Sequence, residues 1–160
     1  MESGTVHMVK RALEMAFRKL FGRIYESFSP TEPKNLFNSG NGERMSRFLL
    51  QQDEFRGGVV RHSAFTPPKS RRKSIYWISA ISDKEIWNIG DTHVAPARNL
   101  PILGRADFNS LVVYQHNLAI DLTGIPHPRH ADIIDWDQDR KKARHQAQKL
   151  ADASTLIRKP

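Results

Sequence analysis

Apolar residues recur at Val9, Leu13, Phe17, Leu20, Ile24 and Phe28, at steps of 4, 4, 3, 4 and 4. That spacing keeps one face of an α-helix apolar and predicts an amphipathic helix over residues 5–28. Lys10, Arg11, Arg18, Lys19 and Arg23 fall mainly off the stripe. Gly22 costs a helix about 1 kcal/mol relative to Ala, which favours a helix packed on its own domain over one that stands alone. The same stripe is the candidate contact for a protein partner.

The pattern stops over residues 29–45, "SPTEPKNLFNSGNGERM", where Pro30, Pro33, Gly40 and Gly42 mark a linker. Residues 46–160 then alternate short apolar runs with turn formers, as one further domain. "VVRHSAF" (59–65) and "SIYWISA" (74–80) are rich in β-branched and aromatic residues and read as strands. "PILGRADF" (101–108) and "LAIDLT" (118–123) are two more. "SDKEIWNIG" (82–90) opens with a capping box, Ser82 and Glu85, and Gly90 is the expected stop. A helix is expected over 109–117 with Asn109 as its cap, and the clearest one over 137–154. The fold class is therefore α+β: a small, mainly antiparallel sheet packed with helices, preceded by the N-terminal amphipathic helix. The domain from residue 46 on is expected to fold without residues 1–45.

Composition narrows the class of protein. The chain has 160 residues and no cysteine, which excludes a disulfide scaffold, a thiolate metal site and a cysteine nucleophile. No apolar run reaches the roughly 18 residues of a membrane span, and charges break any signal-peptide core. A cytoplasmic protein is expected. Net charge is +8 with a pI near 10.0, which points to nucleic acid or another polyanion as partner through phosphate neutralisation.

The cations concentrate in two places. Residues 56–73 hold Arg56, Arg61, Lys69, Arg71, Arg72 and Lys73 and no acid, and "TPPKSRRK" is expected at a hairpin tip between two strands. Arg140, Lys141, Lys142 and Arg144 open the C-terminal helix. Phe65, Tyr76 and Trp77 could supply stacking surface, but Tyr76 and Trp77 are neighbours on a strand and face opposite sides.

"HPRHADIIDWDQDR" (127–140) raises the question of chemistry. His127, His130, Asp132 and Asp135 supply imidazole and carboxylate ligands of the kind that hold zinc or iron. Pro126 and Pro128 bar a regular helix there, and the spacing matches no specific metal signature. Asp135, Asp137 and Asp139 are explained without any metal by the start of a helix, where carboxylates meet free N–H groups. His130 beside Arg129 remains a candidate for proton transfer. Arg105 and Asp107 share a face if extended and suit a structural ion pair or a polar cleft. Ser74 and Ser82 read as strand-edge and cap residues, not nucleophiles. No phosphate loop, dinucleotide fingerprint or nucleophile elbow is present, and no cofactor is expected.

"SRF" (46–48), "AFTPP", "SIYWI", "EIWNIG", "GRAD" and "PRHADIIDW", followed by an Ala/Leu/Lys helix, resemble a group of small bacterial proteins without an assigned activity. The resemblance covers most of 46–153. It implies bacterial or phage origin and one compact domain, and no activity. Asp132 departs from the group's Asn, and "DWD" stands where Gly-Trp-Pro is usual. The leading expectation is a non-enzymatic accessory protein that binds a polyanion through 56–73 and the helix 140–149. The rivals are a metal-dependent phosphodiesterase using the His/Asp cluster and a protein-interaction module using residues 5–28.

Overall fold

The computed structural model describes residues 42–160. The helix expected over 5–28 and most of the linker lie outside the described residues. The described part is α+β. Six strands form one antiparallel sheet: β1 (Arg44–Leu49), β4 (Lys73–Trp77), β5 (Gly104–Asn109), β6 (Ala119–Leu122), β7 (His130–Ile134) and β8 (Thr155–Arg158). Their order across the sheet is β6-β7-β4-β1-β5-β8. A separate small hairpin pairs β2 (Phe55–Arg56) with β3 (Val59–Val60).

Alternation divides the sheet into two unlike faces. Met45, Leu49, Ile75, Phe108 and Ile133 point to one side and form the main core. Helix α4 (Arg140–Asp152) closes that side with buried Ala143, Ala147, Leu150 and Ala151. Its cap is Asp139, whose carboxylate accepts from the Lys141 and Lys142 amides at 2.8 and 2.9 Å. The capping explanation therefore applies to Asp139. Asp137 supports it by accepting from Asp139 N at 2.9 Å, while Asp135 is exposed in a left-handed turn at φ 63°.

The other face is covered over only part of its width. Helix α1 (Asp83–Ile89) runs through one π-helical turn, Gly90–Val94, into α2 (Ala95–Arg98). Ile86, Ile89 and Val94 pack there on Phe48, Tyr76 and Ile78. Buried Arg105 ties α1 to the sheet: it donates to Asp83 at 2.7 Å, contacts Asp107 at 3.2 Å and lies 4.7 Å from the Trp87 ring centre. Arg105 and Asp107 are thus a structural ion pair beneath α1.

Several boundaries differ from the sequence expectation. The Ser82–Glu85 capping box forms, but Gly90 does not stop the helix. It is helical at φ −58°, and a Cβ there would lie 2.8 Å from the Phe48 ring, so the glycine serves close packing. The strand expected over 59–65 ends at Val60, and His62–Ala64 form a 3-10 turn. Ala64 and Phe65 are apolar because they enter the core, not because they continue a strand. The helix expected over 109–117 is shorter, α3 (Leu111–Gln115), with Asn109 Oδ1 accepting from Leu111 N at 2.9 Å. The polar stretch around residue 130 is a strand, β7.

Strand β1 also begins two residues inside the stretch read as linker. Met45 is fully buried, and the Glu43 carboxylate accepts from the Trp77 indole at 3.1 Å. A fragment beginning at 42 is expected to unfold cooperatively, and one beginning at 46 to be less stable by at least about 2–5 kcal/mol, the cost of deleting a large buried apolar side chain. Urea unfolding of both fragments measures the difference. Equal stabilities would mean that β1 contributes nothing before Ser46.

Candidate functional site

Where α2 ends, the second face of the sheet is left open and polar. The register sets Tyr76 opposite His130, Ser74 opposite Asp132, and Asp121 opposite Asp132. Tyr76, Ser74, His130 and Asp132 line a cleft of about 350 Å³. His93, Ala97 and Arg98 form the wall on the helix side, Ser70 and Arg72 the wall before β4, and Pro126 part of the rim.

Two carboxylates facing each other on neighbouring strands repel. Arg72 answers this by donating to both, through Nε to Asp132 at 2.9 Å and through Nη2 to Asp121. Its planar fork suits such a bridge.

His130 lies between two hydroxyls. Ser74 Oγ is 2.7 Å from Nε2, and Thr123 Oγ1 contacts Nδ1. Burial lowers the His130 pKa, with Asp132 opposing and Arg72 reinforcing. The ring is therefore neutral at pH 7, and its 4.0 Å approach to Asp132 is not an ion pair. Thr123 Oγ1 also reaches the His130 and Ile125 carbonyls at 3.3 and 3.4 Å. If Thr123 gives its one proton to a carbonyl, it accepts from Nδ1–H, and Nε2 is then left to accept from Ser74. Burial also pushes the Tyr76 phenol up to about 12, so it too is neutral.

Strands β1 and β4 keep only two residue pairs before they diverge. Arg47 fills the split, donating to the carbonyls of Ala64 at 3.2 Å and Ser74 at 3.4 Å, with Glu54 3.6 Å away. Arg98 is exposed on the cleft wall and raises the positive potential felt by Arg47, Lys73 and Tyr76.

The rival reading's metal set does not assemble among the described residues. His127 sits in the β6–β7 loop 4.9 Å from the His93 ring, and its Nδ1 accepts from Arg129 N at 3.1 Å. His130 and Asp132 face the cleft from β7, and Asp135 lies beyond the strand. Among the described residues no group of three or more His, Cys, Asp or Glu is placed to hold a metal ion. Arg129 is directed away from proton transfer: it donates to the Trp77 and Ser79 carbonyls at 3.3 and 3.0 Å and stacks 4.9 Å from the Trp77 ring centre.

The basic loop is not a hairpin tip, because β3 pairs with β2 while β4 pairs with β1 and β7. Most of its cations are turned inward. Arg71 donates to the Asp137 and Gln138 carbonyls at 2.7 and 3.1 Å, Arg72 bridges the carboxylates, and Lys73 donates to Thr66 O at 3.1 Å. Of Lys69, Arg71, Arg72 and Lys73, only Lys69 has no hydrogen bond or ion pair among the described residues. By contrast Arg61, Arg140, Lys141, Lys142 and Arg144 are all exposed, with Lys142 3.9 Å from Asp137.

Sequence reasoning missed Thr123, Asp121, Arg47 and Arg98 and set Ser74 aside. The pairs Asp121/Thr123 and His130/Asp132, each two apart, carried a signal: on adjacent strands they must share a face. Arg47 and Arg98 carried none. Comparison with protein-family models, with curated proteins and with solved structures found no match for this chain. Among the described residues no helix is long and apolar enough to cross a membrane.

Lys73 gives a pH test. Burial first, then Arg47, lower its pKa from 10.5 to about 7. Between these values the unfolded chain binds the proton and the folded chain does not, so Lys73 makes stability rise with pH across that window. The stability of Lys73→Met relative to wild type is expected to be greatest below about pH 7 and to fall as pH approaches 10. Urea unfolding at pH 6, 8 and 10 checks this. A pH-independent difference would place the ammonium in solvent.

Proposed function

We propose that the chain is a small basic accessory protein, cytoplasmic and of bacterial or phage type, that binds nucleic acid or another polyanion. The reading keeps the helix α4 cations and gives up most of the 69–73 loop. One observation carries it. The 3-10 turn His62–Ala64, which follows Arg61, packs against helix α4, and Arg61 and Arg144 both lie close enough to His62 to lower its pKa after burial. Two separate segments thus bring unpaired positive charge to one place. Arg140 lies one helical turn from Arg144, and Lys141 continues the charge around the exposed arc. A groove of about 410 Å³ beside the helix is lined by Lys141, Lys142, His116 and His145 and extends the same surface. Phosphates spaced along a strand suit cations spread in this way, and such contacts position without specifying sequence. The metal-dependent phosphodiesterase reading lacks a converged ligand set, and the protein-interaction reading rests on residues outside those described.

The test is salt dependence. Replacing Arg61, Arg140, Lys141 and Arg144 with Gln is expected to flatten the slope of log K against log salt on duplex DNA by roughly 3 to 4 units, at about 0.9 per lost phosphate contact. Lys69→Gln is expected to remove no more than about one. Fluorescence anisotropy at several salt concentrations reads both. An unchanged slope in the fourfold variant removes this face from the interface, and a wild type that binds neither DNA nor RNA at low salt ends the proposal.

A further inference from the structure

The cleft lies on the face of the sheet opposite α4, and its lining holds three arginines, Arg47, Arg72 and Arg98, to one carboxylate, Asp132. Arg72 is matched by Asp121 and Asp132, and Arg47 has Glu54 at 3.6 Å. Arg98 lines the same cleft, is exposed, and among the described residues has neither a hydrogen bond nor an acidic partner. Arg47 lines the cleft too, and the Arg98 charge repels it. A bound anion relieves this repulsion and can accept from both guanidinium groups, as phosphate does. The floor beneath them carries the Ser74 hydroxyl, the His130 imidazole and the Tyr76 phenol, beside the Asp132 carboxylate that Arg72 holds. The Tyr76 phenol and the Ser74 hydroxyl can hydrogen-bond the neutral hydroxyl-rich body of a ligand, with the His130 ring beside them, while the arginines hold its charged end. At about 350 Å³ the space is at the small end of small-molecule sites and does not suit a polymer.

We propose that this cleft binds a small phosphorylated molecule of sugar-phosphate size, with Arg98 and Arg47 holding the phosphate and Ser74, Tyr76 and His130 contacting the neutral part. The site is independent of the polyanion surface on α4.

The full chain is titrated with inorganic phosphate, ribose 5-phosphate, ribose and acetate at matched ionic strength and pH 7. The histidine ring signals are followed by NMR, and His130 is assigned from His130→Gln. Saturable shifts of the His130 signal are expected with phosphate and ribose 5-phosphate, tighter for the second, and absent with ribose and acetate. Arg98→Gln is expected to weaken both at least tenfold while leaving the unliganded spectrum in place, since Arg98 is exposed and makes no structural contact. The fourfold α4 variant is expected to retain the response, which separates this proposal from the polyanion reading. Shifts that do not saturate, that acetate reproduces, or that survive Arg98→Gln would overturn it.

Discussion

Strands β6 and β7 place Asp121 directly opposite Asp132, and the Arg72 guanidinium bridges the two carboxylates. Without a cation between them, this cross-strand pair would oppose the pairing of the edge strand. The bridge also fixes the segment before β4. Arg71, one residue earlier, reaches past β7 to the Asp137 and Gln138 carbonyls, and Lys73, one residue later, turns back to Thr66. Three successive cations thus hold the sheet edge, the approach to α4 and the loop itself. Arg72, with Ser70, forms a wall of the cleft, and none of the three belongs to a projecting arm.

This use of charge divides the molecule. On one face of the sheet the cations are mostly committed: Arg105 to Asp83 and Asp107, Arg72 to its two carboxylates, Arg47 to Glu54 and two carbonyls. The exception is Arg98, at the mouth of the cleft. On the other side, α4 buries its alanines and Leu150 against the core and leaves Arg140, Lys141 and Arg144 in solvent. A net charge of +8 does not reveal this division. Only the pairing does.

The sequence made some of this legible. The capping box at Ser82 and Glu85, the helix after Asp139 and the apolar runs that become β4 and β6 all follow from local pattern and formed as expected. Strand β7 was hidden because prolines precede it and Asp132 and His130 interrupt its apolar residues. The alternation is present, but its polar side faces a cleft instead of solvent. Arg71 and Arg72 read as part of a solvent-facing basic loop because their partners lie some 50 to 70 residues away along the chain. Gly90 read as a stop because glycine commonly ends helices, whereas here the Phe48 ring leaves no room for a side chain. The histidines and aspartates of 127–135 are close in sequence, yet only His130 and Asp132 share a face on β7, with His127 in the loop before it and Asp135 in the turn after it.

A double-mutant cycle on Arg72 tests the inward commitment of the loop most directly. Arg72→Gln is made in the wild type and in a chain carrying Asp121→Asn and Asp132→Asn, and unfolding free energies are compared. If Arg72 holds the two carboxylates apart, its loss costs clearly more in the wild type than in the neutralised chain, with a coupling of about 1 kcal/mol, near the upper end for partly exposed charges. An equal cost in both backgrounds would mean that Arg72 does not serve the carboxylates and that the loop is free to offer its charges to a partner.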